Sequence, residues 1–202
     1  MPRYKKAESE QIKEESRRKL IAAAVAEFAE HGYAGANINR LSRAAGFAQG
    51  TVYNYFPTKQ ALFEAVVGEI AGQHSALILQ AAASARSPAG RLERFFSAGF
   101  SFAQGFPAAA QIIAAALYGA DAEIRALVYR AYEQLLAYVE EEIVQAGQIE
   151  GHFRRLDPHL AACAIFALYV SGCAPGPESE PLRRNPKAVA GLVLEGMGRR
   201  ET

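Results

Sequence analysis

The chain has little of what disulfide scaffolds and zinc modules are built from. Among 202 residues there are two cysteines, Cys163 and Cys173, set ten positions apart and outside any CxxC spacing. Neither a disulfide framework nor a zinc ribbon can be made from them. Tryptophan is absent, methionine occurs twice, and no run of alternating β-branched residues marks a strand. Excess charge is lacking too: 22 basic residues face 21 acidic ones, and half of all residues are apolar. That balance excludes a disordered chain. The first ten residues hold no apolar core of an export signal, which predicts a reducing cytoplasm. There is no Gly-rich phosphate cradle, no acid-rich cluster and no nucleophile elbow with Ser, His and Asp in order. The expectation is therefore a protein without catalytic residues, metal or cofactor.

What is present is helix. Leu20, Ile21, Ala24, Val25 and Phe28 recur at three- and four-residue spacings over 13–31, and Gly32 supplies a left-handed stop. A short helix follows, opened by Asn37 as its cap, with Arg40 where a capping box would place Glu or Gln. Another short helix spans about 49–55 and closes at Pro57. Long helices are predicted over 59–83, 89–104, 107–118 and 121–147, started by caps such as Thr58 and Asp121. Two more open with Asp157-Pro158 and Asn185-Pro186, separated by a Pro/Gly-rich loop over 174–181. Phe95 to Ala120 carries no charge and would suffice to span a bilayer. Gln104 and Gln111 interrupt it, and Gly105-Phe106-Pro107 reads as a corner between two buried helices. No membrane segment is expected.

The near-zero net charge hides an asymmetry. Residues 1–60 carry ten Lys or Arg against six acids, a net of +4, which leaves −3 for the remainder. A basic end on an acidic body suits a polyanion. The same end holds the motif that interprets it. Three short helical segments, the last two joined by a Gly-containing turn, make a helix-turn-helix unit. Ala44-Ala45-Gly46-Phe47 forms the turn, Gly50-Thr51-Val52-Tyr53 the second helix, and Tyr55-Phe56-Pro57-Thr58-Lys59 its end. Over roughly 15–65 this resembles the DNA-binding domain of the TetR family of transcriptional regulators. The resemblance implies an all-α fold: an N-terminal three-helix helix-turn-helix domain plus a C-terminal bundle of about six helices. Residues 1–58 would hold the arm and DNA-binding domain, and 59–202 the effector-binding and dimerisation domain. Gln49 departs from the Lys or Arg most often found at its position in the family.

The residues support this reading chemically. Gly50, without a side chain, lets the recognition helix approach DNA closely, and Gln49 and Thr51 flank it where side chains reach base edges. Tyr53, Asn54 and Tyr55 suit phosphate oxygens, as do Asn37, Asn39 and Arg40 at the start of the preceding helix. Tyr55 is equally well placed for the core. Lys59 would clamp phosphate. Arg3, Lys5 and Lys6 form a basic arm, read as a solubilising tail or a minor-groove follower. In the larger domain His74 lies on an apolar stripe, and Phe95, Phe96, Phe100, Phe102 and Phe106, with Tyr118 and Tyr132, exceed what a small bundle needs; His74, Phe96, Phe100, Phe106, Tyr118 and Tyr132 are the expected lining of an effector site. An apolar pocket with few polar groups is the usual small-molecule site. His159 and Cys163, at i and i+4, have metal-ligand spacing, but Cys163 sits in an apolar run and reads as core.

The resemblance thus implies a ligand-responsive repressor, released from a palindromic double-stranded operator by a small apolar or aromatic effector. It would act as a homodimer through its last two helices. The competing reading is a helical small-molecule-binding or metal-responsive protein without specific DNA recognition.

Overall fold

A computed structural model describes residues 2–198, with side chains from Glu10 onward. It is helical throughout; among the described residues the sole β-type pairing is an isolated bridge between Phe153 and Gly198. The chain divides into two compact units, Met1–Glu69 and Ile70–Thr202, so the division falls within the helix that follows Thr58.

The first unit contains α1 (Pro2–Gly35), α2 (Ile38–Ala44), α3 (Gln49–Tyr55) and the first turns of α4 (Lys59–Ala83). The backbone of α1 is helical from Pro2, eleven residues ahead of the expected start at 13. The Glu14–Arg18 and Glu15–Lys19 pairs support this stretch at i,i+4 spacing. The side chains of Arg3, Lys5 and Lys6 lie outside the described residues. Gly32 takes φ 65°, ψ 176°, so it interrupts α1 with a positive φ but does not adopt the left-handed helical ψ expected of it. Leu20, Ala24, Phe28, Leu41, Val52, Leu62, Phe63 and Val66 are buried together, and the Phe28 and Phe63 rings meet edge-to-face at 4.9 Å. Val25, an expected core residue, is half-buried.

The second unit is built around α5 (Pro88–Gly105), which packs against α10 (Pro158–Cys173) and α12 (Pro186–Met197). Gly105 ends α5, Pro107 opens α6 (Pro107–Tyr118), and the two helices bend by 107° at Phe106, which makes the expected corner. α4 has the length and mean hydropathy, 1.2, of a membrane span, with 44% of that stretch buried inside the protein. The single helix expected over 121–147 is instead broken. Asp121 does cap α7 (Ala122–Ala131), accepting from the Glu123 and Ile124 amides. Tyr132 then leaves helical geometry (φ −104°, ψ 8°) before α8 (Glu133–Tyr138), a π-helical segment (Val139–Gln145) and α9 (Ala146–Ile149). The Pro/Gly-rich loop is shorter than expected, since Pro177–Ser179 forms a 3₁₀ turn and Glu180–Arg184 forms α11. Asp157 caps α10 through the Leu160 amide at 2.7 Å. Asn185 makes no side-chain cap on α12; its amide donates back to the Pro181 carbonyl at 2.9 Å.

Candidate functional site

Two places in the chain have the makings of a site, one in each unit. In the first, Asn37 caps α2 by accepting from the backbone amides of Asn39 (2.8 Å) and Arg40 (3.3 Å). The missing half of a capping box is supplied from α1. The Glu27 carboxylate accepts from the Asn37 amide at 2.7 Å, doing for the cap what a glutamate at position 40 would have done. The same carboxylate takes the Arg40 guanidinium in a two-point contact, Nε to Oε2 at 2.7 Å and Nη2 to Oε1. Glu27 is buried, and the Arg40 guanidinium beside it holds its carboxyl below the usual range despite that burial. Sequence reasoning passed over Glu27 because a lone acid on an amphipathic helix reads as solvated. The only local signal was its neighbourhood, next to Phe28 on the apolar side.

Lys59 is likewise tied to its own chain. Its ammonium donates to the carbonyls of Ala34 (3.1 Å) and Ala36 (3.2 Å) and stands 4.9 Å from the centre of the Tyr33 ring. Two of its three donors are thereby used. Asn37, Asn39, Arg40, Gln49, Gly50, Tyr53 and Asn54 are exposed, and Thr51, Tyr55 and Lys59 are half-buried. Asn37, Asn39, Arg40 and Arg43 together border one surface depression. Gly50 lies at an ordinary helical φ, and a Cβ built on it would meet nothing within 4 Å. No turn and no internal contact requires glycine there.

The second place is a cavity of about 30 Å³ in the larger unit, walled by α4, α5, α6, α10 and Tyr132. Apolar side chains make most of its surface, among them Ile70, Phe102, Ile113, Leu117 and Phe166. One wall is polar. His74 is buried with Phe102 stacked on it at 4.2 Å, its Nδ1 lies 2.9 Å from the Tyr132 hydroxyl, and its Nε2 lies 2.5 Å from that of Tyr169. Burial pushes the imidazolium down to about 4, so His74 is neutral at ordinary pH. Desolvation also raises both tyrosines and pushes the Cys173 thiol up to about 12.

Of the residues expected around an effector, the cavity brings together His74 and Tyr132 and leaves out the other four. Phe96 and Phe100 are spent on packing, within an aromatic cluster with Phe95 and Tyr169. Phe106 and Tyr118 point to solvent, 52% and 65% exposed, because they sit at the two ends of α6. Phe102, Phe166 and Tyr169 take their places; only Phe102 stood out beforehand, as one of many phenylalanines. His159 Nδ1 lies 2.9 Å from the Glu140 carboxylate and its Nε2 3.6 Å from Cys163 Sγ, on the surface. Cys163 is exposed, not core. Among the described residues no group of three or more His, Cys, Asp or Glu is placed to hold a metal ion.

Residues 20–66 match the family described as "Bacterial regulatory proteins, tetR family". Those residues, the helix-turn-helix and its flanks, are similar to that family. Within it, the HTH-type transcriptional repressor AcnR of Corynebacterium efficiens is 40% identical over 58 residues, which is 29% of this chain and 31% of that repressor. That match therefore spans about a third of the relative. The fatty acid metabolism regulator protein of Bacillus subtilis is 27% identical over 150 residues, 73% of this chain and 76% of its own length. The solved structure of FadR from Bacillus subtilis, in complex with stearoyl-CoA, superposes with a TM-score of 0.80. It is 23% identical and is covered over 98% of its length by 89% of this chain. The TetR-type fold, an N-terminal helix-turn-helix followed by a helical bundle, thus extends over 89% of the chain.

Proposed function

We propose that the protein is a DNA-binding transcriptional regulator, a homodimeric repressor released from a palindromic operator by a small, largely apolar effector. Residues 1–58 would carry DNA binding, and 59–202 effector binding and dimerisation. The observation that carries the reading is the outer face of α3. Gly50 stands there in open space with Gln49, Tyr53 and Asn54 exposed around it. A glycine that the chain itself does not need costs helix stability, and close approach of a duplex gives it a use. Gln49 and Thr51 would read base edges, while Tyr53, Asn54, Tyr55, Asn37 and Asn39 would take phosphates. Arg40 and Lys59 act differently from free cations. Glu27 and two carbonyls hold them in place, and the remaining N–H groups face a phosphate without further loss of side-chain freedom.

The effector would occupy the cavity beside His74. At about 30 Å³ the space holds one or two waters, so a ligand must enlarge it. A relative named for fatty acid metabolism, and a neighbour crystallised with stearoyl-CoA, favour an apolar chain as the part that enters. His74 sits on α4, the same helix that begins with Lys59, so movement of α4 would act on the DNA-binding unit directly. A cytoplasmic location accords with this role.

Dimerisation would use α10 and α12. Leu160 and Leu192 are 69% and 68% exposed there, beside a groove of about 370 Å³ lined by Ala161, Ala164, Leu168 and Val193. A single helix-turn-helix makes few base contacts, and a two-fold pair doubles them. A gel shift with the DNA flanking the gene tests the proposal. Specific retardation that hydrophobic compounds reverse is the expected result. Compound binding without retardation of any fragment would favour a small-molecule-binding protein that lacks DNA recognition.

A further inference from the structure

The polar wall of the cavity specifies more than an apolar ligand, because its protons can be counted. A neutral imidazole has one N–H and one bare nitrogen, and both nitrogens of His74 face a tyrosine hydroxyl. The Tyr169 hydroxyl also meets the Cys173 sulfur, and the Cys173 thiol donates to the Gly99 carbonyl at 3.8 Å. With the proton on Nε2, every donor has an acceptor. Tyr132 donates to Nδ1, Nε2 donates to Tyr169, Tyr169 donates to Cys173, and Cys173 donates to Gly99. With the proton on Nδ1, Tyr132 becomes the acceptor, and its own hydroxyl proton has no partner among the described residues. The first arrangement leaves an acceptor, the Tyr132 oxygen, for a ligand in the cavity. The second leaves a donor. Neither provides a positive charge.

No lysine or arginine lines the cavity. The cation that acts on this cluster is Arg183, through Cys173, and its guanidinium is already spent on the carbonyls of Gly172, Ala174 and Gly176. Protonating His74 would require charge in a site whose burial holds its imidazolium down to about 4. A carboxylate entering here would be unpaired and desolvated.

We propose that this wall recognises an uncharged hydrogen-bond donor (an amide N–H or an alcohol O–H) on an apolar effector, and that the Tyr132 oxygen accepts from it while free carboxylates are refused. The proposal rests on reading the larger unit as an effector domain. A carboxylic acid could then bind only with its proton. At pH 7.3, about three units above an ordinary carboxylic pKa, that lowers its apparent affinity about 1,000-fold. The loss should shrink tenfold for each unit of pH decrease.

The experiment is calorimetric titration of the full chain with hexanamide, hexanoate and toluene between pH 5.5 and 8. Hexanamide should bind with an affinity independent of pH, hexanoate about 1,000-fold more weakly at pH 7.3 with a slope of one decade per unit. Tyr132→Phe should weaken hexanamide about tenfold and leave toluene, which has no N–H or O–H, unchanged. Histidine ¹⁵N spectra should show His74 as a neutral Nε2–H tautomer in the free protein. Hexanoate binding as tightly as hexanamide with no pH slope would overturn the proposal. So would equal losses of hexanamide and toluene in the variant, or no binding of either. If another class of compound releases the protein from DNA in those cases, the regulator reading survives and only the head-group assignment fails.

Discussion

Replacing Gly50 by alanine separates the stability of α3 from its use. Gly50 lies in the first turn of a seven-residue helix at ordinary φ, and the added Cβ would meet nothing within 4 Å. Inside the protein the substitution should therefore be harmless or helpful. Alanine exceeds glycine in helix preference by about 0.8–1 kcal/mol, an upper limit for a first-turn position. For a chain of this size that raises the melting temperature by up to about 2–4 °C. Against DNA the same methyl stands where the groove floor or backbone would come closest. Displacing each recognition helix enough to lose one bidentate base contact costs about 1–3 kcal/mol per half-site. Two half-sites make about 2–6 kcal/mol, at least thirtyfold in affinity. Fluorescence anisotropy on operator DNA and thermal melts of the same preparation measure the two effects together. Unchanged operator affinity would refute the docking of this face. A lowered melting temperature would refute the premise that glycine has no internal role.

Four further outcomes follow from the packing. Glu27→Gln removes the charged acceptor that holds both the Asn37 amide and Arg40, and should cost about 1.5–3 kcal/mol by thermal melting; an unchanged melt would show that α2 is positioned by its own cap alone. Gly99→Ala would drive a Cβ to 2.1 Å from the buried Tyr169 ring. It should destabilise by about 1–3 kcal/mol and weaken hexanamide binding, because Tyr169 is pushed off His74; wild-type stability would mean the ring has room to move. Leu192→Glu, placing a charge on the apolar face where Leu192 is 68% exposed, should give a folded monomer by light scattering and circular dichroism. A persistent dimer would move the interface elsewhere. Acid should destabilise the protein through His74: its folded value near 4 lies below the unfolded 6.5, so the unfolded state binds more protons and stability is lost as pH falls from 6.5 toward 4. The loss between pH 7 and 5 should be about 2 kcal/mol by denaturant titration; a flat profile would mean His74 protonates equally well when buried.

What was legible in the sequence was local. The cap at Asn37, the interruption at Gly32, the corner at Phe106-Pro107 and the cap at Thr58, which accepts from the Ala61 amide at 3.0 Å, each depend on residues within a turn. They were enough to lay out the helix-turn-helix and most helix boundaries. The break at Tyr132 has no such signal, since neither Gly nor Pro marks it. The partner of its side chain lies 58 residues away, where His74 Nδ1 meets the tyrosine hydroxyl. Glu27 was illegible for the same reason: its partners Asn37 and Arg40 belong to the next helix. The residues expected around an effector divided along this line too. His74 stood out because a titratable group on an apolar stripe needs a partner. Phe96 and Phe100 could not be told from Phe102 until the ring contacts assigned the first two to packing and the third to the cavity wall.

The glycines carry the same lesson further. At Gly99, Gly147 and Gly172 a Cβ would fall within 2.4 Å of Tyr169, Phe153 and Phe100 respectively. Each is small because an aromatic ring of the larger unit occupies the space a side chain would need. Tyr169 lines the cavity and Phe100 stacks on it, so the glycines of α5 and α10 set where Tyr169 and Phe100 stand, and through Tyr169 where His74 is held. Gly50 has no such neighbour. Substitution should accordingly behave in opposite ways at the two kinds of position. At Gly99 or Gly172, alanine should damage stability and effector binding together, because one displaced ring causes both. At Gly50, it should leave the fold intact and damage DNA binding alone. If alanine at Gly172 weakened effector binding without lowering the melting temperature, the ring would be adjustable. The polar wall would then be assembled by the ligand rather than waiting for it.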